Sequence, residues 1–459
     1  MMSHPRSVAK LTSKTTLHLN LHGFVGNSDD RFTRLETSML RPGNRRDVLK
    51  AAAGFMAASA TFSAPSRWAA AAEKEAAEDA AADSRDLKIT AVTTFKLLHK
   101  LKRPFGVSVS VPLSRTRTAL IVKIETDAGL VGWGETGPIS GAQGTIDDQL
   151  APILIGQNPL RYRKLWRQLW GANFGNGLAV GAVDMALNDL RGKILGLPVA
   201  DLFGGRMRDR VPVYGSTMNY MEGEEPEDLY PRQAAERAAE GFKALKMRLG
   251  RYSVAREAKV AKAVRDAVGP NVRLMVDGNA AYTLRSAVQM GRVLDELNFD
   301  FFEEPLPQSP RYAGYAELRE KLPLPLAGGE AVDSRIAAKD LIDRRAVDII
   351  QPDAALCGGI GEALFIGELA ALSGIRCIPH CWGGAISIAA SVQLLSLLPQ
   401  PHWGFPTDTP LLELDLSENP WRTEIVKEPF KVVDGEIAVS KAPGLGIDVN
   451  EDAIRQYAV

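Results

Sequence analysis

From residue 211 onward the chain repeats one pattern eight times: a short apolar run, then a helix-like or loop segment. The runs cover residues 211–216, 244–249, 273–276, 299–302, 324–327, 347–350, 376–378 and 411–414. Runs this short suit strands covered on both faces. Strands that alternate with helices make parallel sheets, because a parallel connection needs a crossover. Eight such units match a (β/α) barrel, TIM-like or a modified form of it. An open doubly wound sheet would want a Gly-rich phosphate turn after its first strand, and none follows residue 216. Residues 87–205 read differently. Strand patterning at 89–98, 118–126 and 130–135, with Asp127-Ala128-Gly129 as a turn, leads to helical stretches at 160–169 and 181–195. The expected architecture is therefore α/β: a barrel at 206–430 and an α+β capping domain at 87–205. Residues 431–459 return to strand and turn patterning and are expected to pack back on that cap.

The first 86 residues do not read as part of this fold. Arg45-Arg46 precede an alanine-rich, mildly apolar run at 51–64, a small-residue region at 69–72 and an acidic stretch at 73–86. That order predicts a twin-arginine export signal followed by a solvated linker, and so a periplasmic or other extracytoplasmic location. Met39 lies just ahead of the signal, which makes residues 1–38 an over-called start. The apolar run is too short and too interrupted for a stable membrane span.

Composition narrows the partners. The 459 residues carry 55 basic and 55 acidic side chains, which gives no electrostatic case for nucleic acid or an acidic membrane. Three cysteines, Cys357, Cys377 and Cys381, do not make a disulfide framework. Cys377 and Cys381 flank His380, but without the paired spacing of a thiolate zinc site.

The chemistry lies at the ends of the runs. Lys246 and Arg248 fall in the second; Asp277 and Asn279 end the third, Glu303 and Glu304 the fourth, Glu330 the fifth, Asp353 the sixth, His380 the seventh and Glu413 the eighth. All strand C-termini of a parallel barrel open on one face, so these residues are expected at one mouth. Asp277, Glu303 and Glu330 would repel one another without a cation, and a set of three carboxylates is a hard oxygen site suited to Mg²⁺. A metal-held carboxylate and a nearby base are what removal of a proton α to that carboxylate requires. Lys246 and Arg248, two apart on a strand, point to one face, and His380 faces them from across the ring. Asp353 stands one strand earlier than His380, where it can fix the imidazole's tautomer and raise its basicity.

These residues resemble the enolase superfamily, and within it the mandelate racemase branch of the mandelate racemase/muconate lactonizing enzyme family. The resemblance spans residues 87–459. It rests on Val131-Gly132-Trp133-Gly134-Glu135, Asp184-Met185-Ala186-Leu187-Asn188-Asp189-Leu190, Leu202-Phe203-Gly204-Gly205, Val276-Asp277-Gly278-Asn279, Glu303-Glu304-Pro305, Gly328-Gly329-Glu330, Gln351-Pro352-Asp353 and Pro379-His380-Cys381-Trp382-Gly383. It implies Asp277, Glu303 and Glu330 as Mg²⁺ ligands, Asp353 and His380 as an acid–base dyad, and Asn279 and Glu413 as substrate contacts. Glu413 would donate a hydrogen bond to the substrate carboxylate if protonated. It also implies loops around 103–111 and 136–144 that close over the substrate, and a homo-oligomer. No lysine occurs between Lys339 and His380, which favours the dyad branch over the lactonizing branch.

One departure matters: the family's Lys-x-Lys on the second strand reads Lys246-Met247-Arg248 here. Arginine is a poor base, so the base is Lys246 or His380, with Arg248 as an electrostatic clamp. Loss of one base disfavours racemisation, which needs groups on both faces. The leading expectation is dehydration of an acid sugar. The alternatives are a racemase, epimerase or cycloisomerase acting on a hydroxy acid or sugar lactone, the Pro443-Gly444-Leu445-Gly446 terminus being similar to that of galactarolactone cycloisomerases. A non-catalytic exported carboxylate-binding protein is the reading from a different class.

Overall fold

The computed structural model describes residues 87–137, 141–400 and 409–459. The twin-arginine segment and its linker lie outside the described residues. The cap begins with three antiparallel strands, β1 (Ile89–Gly106), β2 (Ser114–Thr126) and β3 (Val131–Thr136). In the β1–β2 register Phe95 lies opposite Ile121 and Leu97 opposite Ala119. The strands run beyond the stretches read from apolar alternation, since β1 continues through the charged Lys100–Arg103 segment to Gly106. Helices α1 (Tyr162–Ala172) and α2 (Val180–Leu195) pack on this sheet. Gly132 and Gly134 of β3 meet the backbone of α2 so closely that a side chain at either would collide with the Ala186 or Ala182 carbonyl.

The barrel starts with β4 (Arg210–Ser216). A two-residue strand, β5 (Tyr220–Met221), then leaves it and joins the edge of the cap sheet beside β1. Six further units follow: α3 (Pro226–Ala239) and β6 (Ala244–Arg248); α4 (Val254–Val268) and β7 (Arg273–Asp277); α5 (Leu284–Glu296) and β8 (Phe302–Glu303); α6 (Tyr315–Lys321) and β9 (Leu326–Gly328); α7 (Arg335–Asp343) and β10 (Ile349–Ile350); α8 (Ile360–Leu372) and β11 (Arg376–Cys377). Helix α9 (Ala385–Leu397) precedes the last parallel strand, β12 (Leu412–Asp415). The strand order β11-β10-β9-β8-β7-β6-β4-β12 places the last strand against the first, as a curled, barrel-like sheet requires. Each strand region contributes one residue to a buried layer, namely Tyr214, Ala244, Met275, Phe301, Ala327, Ile349, Ile378 and Leu411. This layer fills the interior, so the strand ends above it face a solid floor.

The chain end divides its contacts. Strand β13 (Glu436–Ala438) pairs antiparallel with β4 of the barrel. Helix α10 (Glu451–Tyr457) returns to the cap, where Glu451 pairs with Lys123 at 2.9 Å and the Val459 amide donates to the Lys96 carbonyl at 2.9 Å. Among the described residues no helix is long and apolar enough to cross a membrane.

Phe301→Ala would hollow the layer beneath the site. The expected cost is about 3–5 kcal/mol in urea unfolding; a cost under about 1 kcal/mol would mean that this layer is not the packed floor described here.

Candidate active site

Asp277, Glu303 and Glu330 stand at the C-terminal ends of adjacent strands, or just beyond them, with one oxygen of each within 4.8 Å of the others. The group contains neither Cys nor His; the three cysteines are free and buried elsewhere in the core. Short parallel strands bring about this convergence, since β7 pairs with β8 at Asp277–Glu303 and β8 with β9 at Glu303–Ala327.

Beneath the carboxylates lies Lys246, fully buried. Its ammonium donates to both oxygens of Glu303 at 2.7 and 2.8 Å and stands 2.7 Å from Glu413 and 3.7 Å from Asp277. Arg248 pairs with Asp277, donates to Asn279 Oδ1 at 3.1 Å and to Ser216 Oγ at 3.2 Å. Both cations of the second strand are thus tied to carboxylates. Gln351 donates to Glu303 at 2.9 Å.

The dyad occupies the other side. His380 Nδ1 lies 2.7 Å from Asp353 Oδ2, and Nε2 faces Glu330 Oε2 at 3.5 Å. Exposure separates a closed half from an open half. The side chains of Lys246, Asp277, Glu303 and Glu413 are 0% exposed, whereas His380, Asp353 and Glu330 are 11%, 13% and 23% exposed. The exposed part of the site is thus its His380, Asp353 and Glu330 side. A cavity of about 560 Å³ opens beside His380 and Asp353, bounded by these two and Trp382 of the barrel and by Thr116, Arg117 and Glu135 of the cap.

The cap contacts were only partly foreseen from the sequence. Ser108 Oγ donates to the Asn279 carbonyl at 3.1 Å and the Val109 amide to the Gly250 carbonyl at 3.1 Å, so the β1–β2 loop rests on the barrel mouth. The second expected loop includes residues 138–140, which lie outside the described residues. Trp382 lies between two guanidinium groups, Arg117 of the cap at 5.0 Å and Arg248 at 4.8 Å from its ring centre. Nothing in the sequence marks that stack, because its members come from three distant elements.

Electrostatics follow from this crowding. Burial raises Glu330, and Glu303 adds to the effect while His380 opposes it. Burial and the neighbouring Glu330 push Glu304 up to about 8, against hydrogen bonds from Gln308 and Tyr312. Burial would also raise Glu413, but Lys246, His380 and Arg248 overcome it and hold the group at about 2. The surrounding cations favour the anionic form of Glu413, the opposite of the protonated donor that the resemblance implies. Burial opposes a charged His380, yet Glu330, Asp353 and Glu413 outweigh it and push the imidazole up to about 10. Asp277, Glu303 and Glu330 bring three carboxylates together with oxygen donors only, and that donor set fits a divalent cation.

The comparisons agree with this geometry. Residues 88–204 match the mandelate racemase/muconate lactonizing enzyme N-terminal domain, and residues 230–453 the enolase C-terminal domain-like family. The chain is 37% identical over 378 residues to D-galactarolactone cycloisomerase of Agrobacterium fabrum, covering 81% of this chain and 99% of that protein. The chain belongs to the mandelate racemase/muconate lactonizing enzyme family of the enolase superfamily. It is an enzyme of the lyase or isomerase type. Arabinonate dehydratase of Saccharolobus solfataricus is 34% identical over 344 residues, covering 73% of this chain and 89% of its own. Among solved structures, the 3,6-anhydro-D-galactonate cycloisomerase from Zobellia galactanivorans superposes with a TM-score of 0.72 at 33% identity, over 81% of this chain and 99% of that one.

His380 gives a pH test. Its value in the folded chain lies above the ordinary 6.5, so the stability it contributes is complete below about pH 6.5 and fades as pH rises through about 10. In metal-free protein, the destabilisation caused by His380→Asn is expected to be largest near pH 6 and to shrink steadily toward pH 10. A difference that stays flat over that range in denaturant titrations would contradict the electrostatic assignment.

Proposed function

We propose that this enzyme catalyses a Mg²⁺-dependent β-elimination from an acid sugar or its lactone, beginning with removal of the proton α to the carboxylate. The observation that carries the reading is one-sidedness. Lys246 and Arg248 are committed to Glu303, Glu413 and Asp277, which leaves His380 as the base at the open edge. Mg²⁺ held by Asp277, Glu303 and Glu330 would stabilise the charge that develops on the substrate carboxylate and offset the anionic field on His380. Asp353 holds Nδ1 and so directs Nε2 at the substrate. His380 Nε2 takes the α-proton, the electron pair forms the carbon–carbon double bond, and the β-carbon–oxygen bond breaks. The same imidazole then returns its proton to the departing oxygen. A β-hydroxyl leaves as water, which is dehydration. A lactone ring oxygen stays attached to its acyl carbon as a new carboxyl group, so no atom leaves and the reaction is an isomerisation.

Dehydration of an open acid sugar is the leading form. Ring opening of a sugar lactone is favoured by the relative matched over 99% of its length, whose name is D-galactarolactone cycloisomerase. Arg248 and Asn279 are placed to orient the substrate's carboxylate end. Racemisation has the least support, because among the described residues the cations across from His380, Lys246 and Arg248, are engaged by carboxylates.

The test is NMR of acid sugars and sugar lactones incubated in D₂O with the Mg²⁺-supplied enzyme. The expected result is an elimination product with one substrate, slowed at least ~10²-fold in His380→Asn. Recovery of substrate inverted at the α-carbon, without elimination, would reject the one-base reading.

A further inference from the structure

Glu135 lies at the end of β3 in the cap, yet it is 1% exposed and its carboxylate is spent on the barrel. One oxygen accepts the Gly384 amide at 2.5 Å and the other the Ser387 amide at 3.0 Å. Those amides open α9, the helix that follows His380 after only four residues. Burial raises Glu135, while the two amides and Arg117 draw it back toward the anion. A negative group at that position also suits the positive end of the helix.

The surrounding residues are shaped for this contact. A side chain at Gly384 would come within 3.0 Å of Glu135 Oε1 and 2.8 Å of Trp421. Gly134 and Gly132 allow β3 to press on α2, and Asp189 on α2 accepts the Trp133 amide at 3.0 Å, which fixes the strand end carrying Glu135. Other hydrogen bonds to the 381–384 turn come from the barrel: the Cys381 amide donates to Glu413 at 3.4 Å, and Asn419 donates to the Gly383 carbonyl at 3.0 Å. From the cap, Arg117 lies over the Trp382 ring, and Glu135 supplies the hydrogen bonds to the start of α9. A parallel contact serves the other dyad residue. Asp184 of α2 accepts the Ile360 amide at 2.7 Å, at the start of α8, the helix reached from Asp353 through the 354–359 loop. Two cap carboxylates therefore hold the two helices that follow Asp353 and His380, and Glu135 shares the cavity wall with both.

We propose that Glu135 is a positioning residue for the acid–base pair: through the Gly384 and Ser387 amides it holds the turn after His380 so that the imidazole meets Asp353. This rests on the reading of His380 and Asp353 as the dyad and extends it to the cap. A carboxylate that merely staples the two domains would contribute stability and leave the dyad's own hydrogen bond unchanged.

The experiment reads that bond without needing the substrate. The full chain, labelled with ¹⁵N-histidine and free of metal, is studied by NMR at one fixed pH, and the His380 signals are assigned by their loss in His380→Asn. Wild type is expected to show a low-field proton on Nδ1. Glu135→Gln keeps the size of the side chain but sets an amide N–H₂ against one of the two backbone donors, and it is expected to lose that signal, as is Glu135→Ala. Glu257→Gln is the control for lost buried carboxylates. Glu257 binds the Gly250, Arg251 and Tyr252 amides across the barrel, and its replacement is expected to leave the signal in place. Calorimetric Mg²⁺ affinity is expected to be unchanged in Glu135→Gln. Retention of the wild-type signal in Glu135→Gln, or its loss in Glu257→Gln as well, would overturn the proposal, as would its absence from wild type. If wild type binds no Mg²⁺, the functional reading fails, while the outcome for the Nδ1 proton still decides the role of Glu135.

Discussion

Repulsion among carboxylates at the barrel mouth is the constraint that the rest of the site answers. Asp277, Glu303 and Glu413 are completely buried, where an unpaired charge is costly. Lys246 meets that cost from below, bonded to Glu303 and close to Glu413, and Arg248 meets it from the side at Asp277. The packed layer from Tyr214 to Leu411 supports these residues from beneath and keeps them on the strand ends. The fixed cations stand on the closed half, while Glu330 lies on the open half and faces His380. Lys246 and Arg248, on a single strand, are both bound into carboxylate pairs.

The cap supplies more than a cover. Its glycines let β3 and α2 approach closely, and its buried acids reach the first turns of α8 and α9. Arg117 adds a cation on Trp382, a ring that Arg248 also approaches, so one aromatic ring joins the cap to the second barrel strand. The pair made by Arg117 with Asp415 at 2.6 Å extends this contact to the eighth strand. Cap and barrel are therefore coupled through groups adjacent to the dyad.

Much of this was legible in the sequence because barrel topology turns spacing into position. Carboxylates one βα unit apart must converge, and Asp277, Glu303 and Glu330 do. The pairing of His380 with Asp353 followed from the same rule. What escaped was whatever depends on contacts across elements. The three carboxylate neighbours of Lys246 come from other strands and leave no mark in its own. The charge state of Glu413 depends on Lys246, 167 positions away by numbering, and apolar periodicity carries no trace of it. Short polar segments were equally silent: Tyr220–Met221 joins the cap sheet and Glu436–Ala438 pairs with the barrel, and neither is long enough to show alternation. Glu135 stood within a quoted motif, but only the fold reveals that it faces the turn after His380.

We propose that the open carboxylate cluster holds a divalent cation, and calorimetric titration of the metal-stripped full chain with Mg²⁺, alongside Glu330→Gln, tests this most directly. One Mg²⁺ per chain is expected, with affinity reduced at least ~10-fold when the Glu330 carboxylate is replaced, equivalent to the loss of about 1.4 kcal/mol. Absence of binding in wild type, or equal affinity in the two proteins, would contradict it.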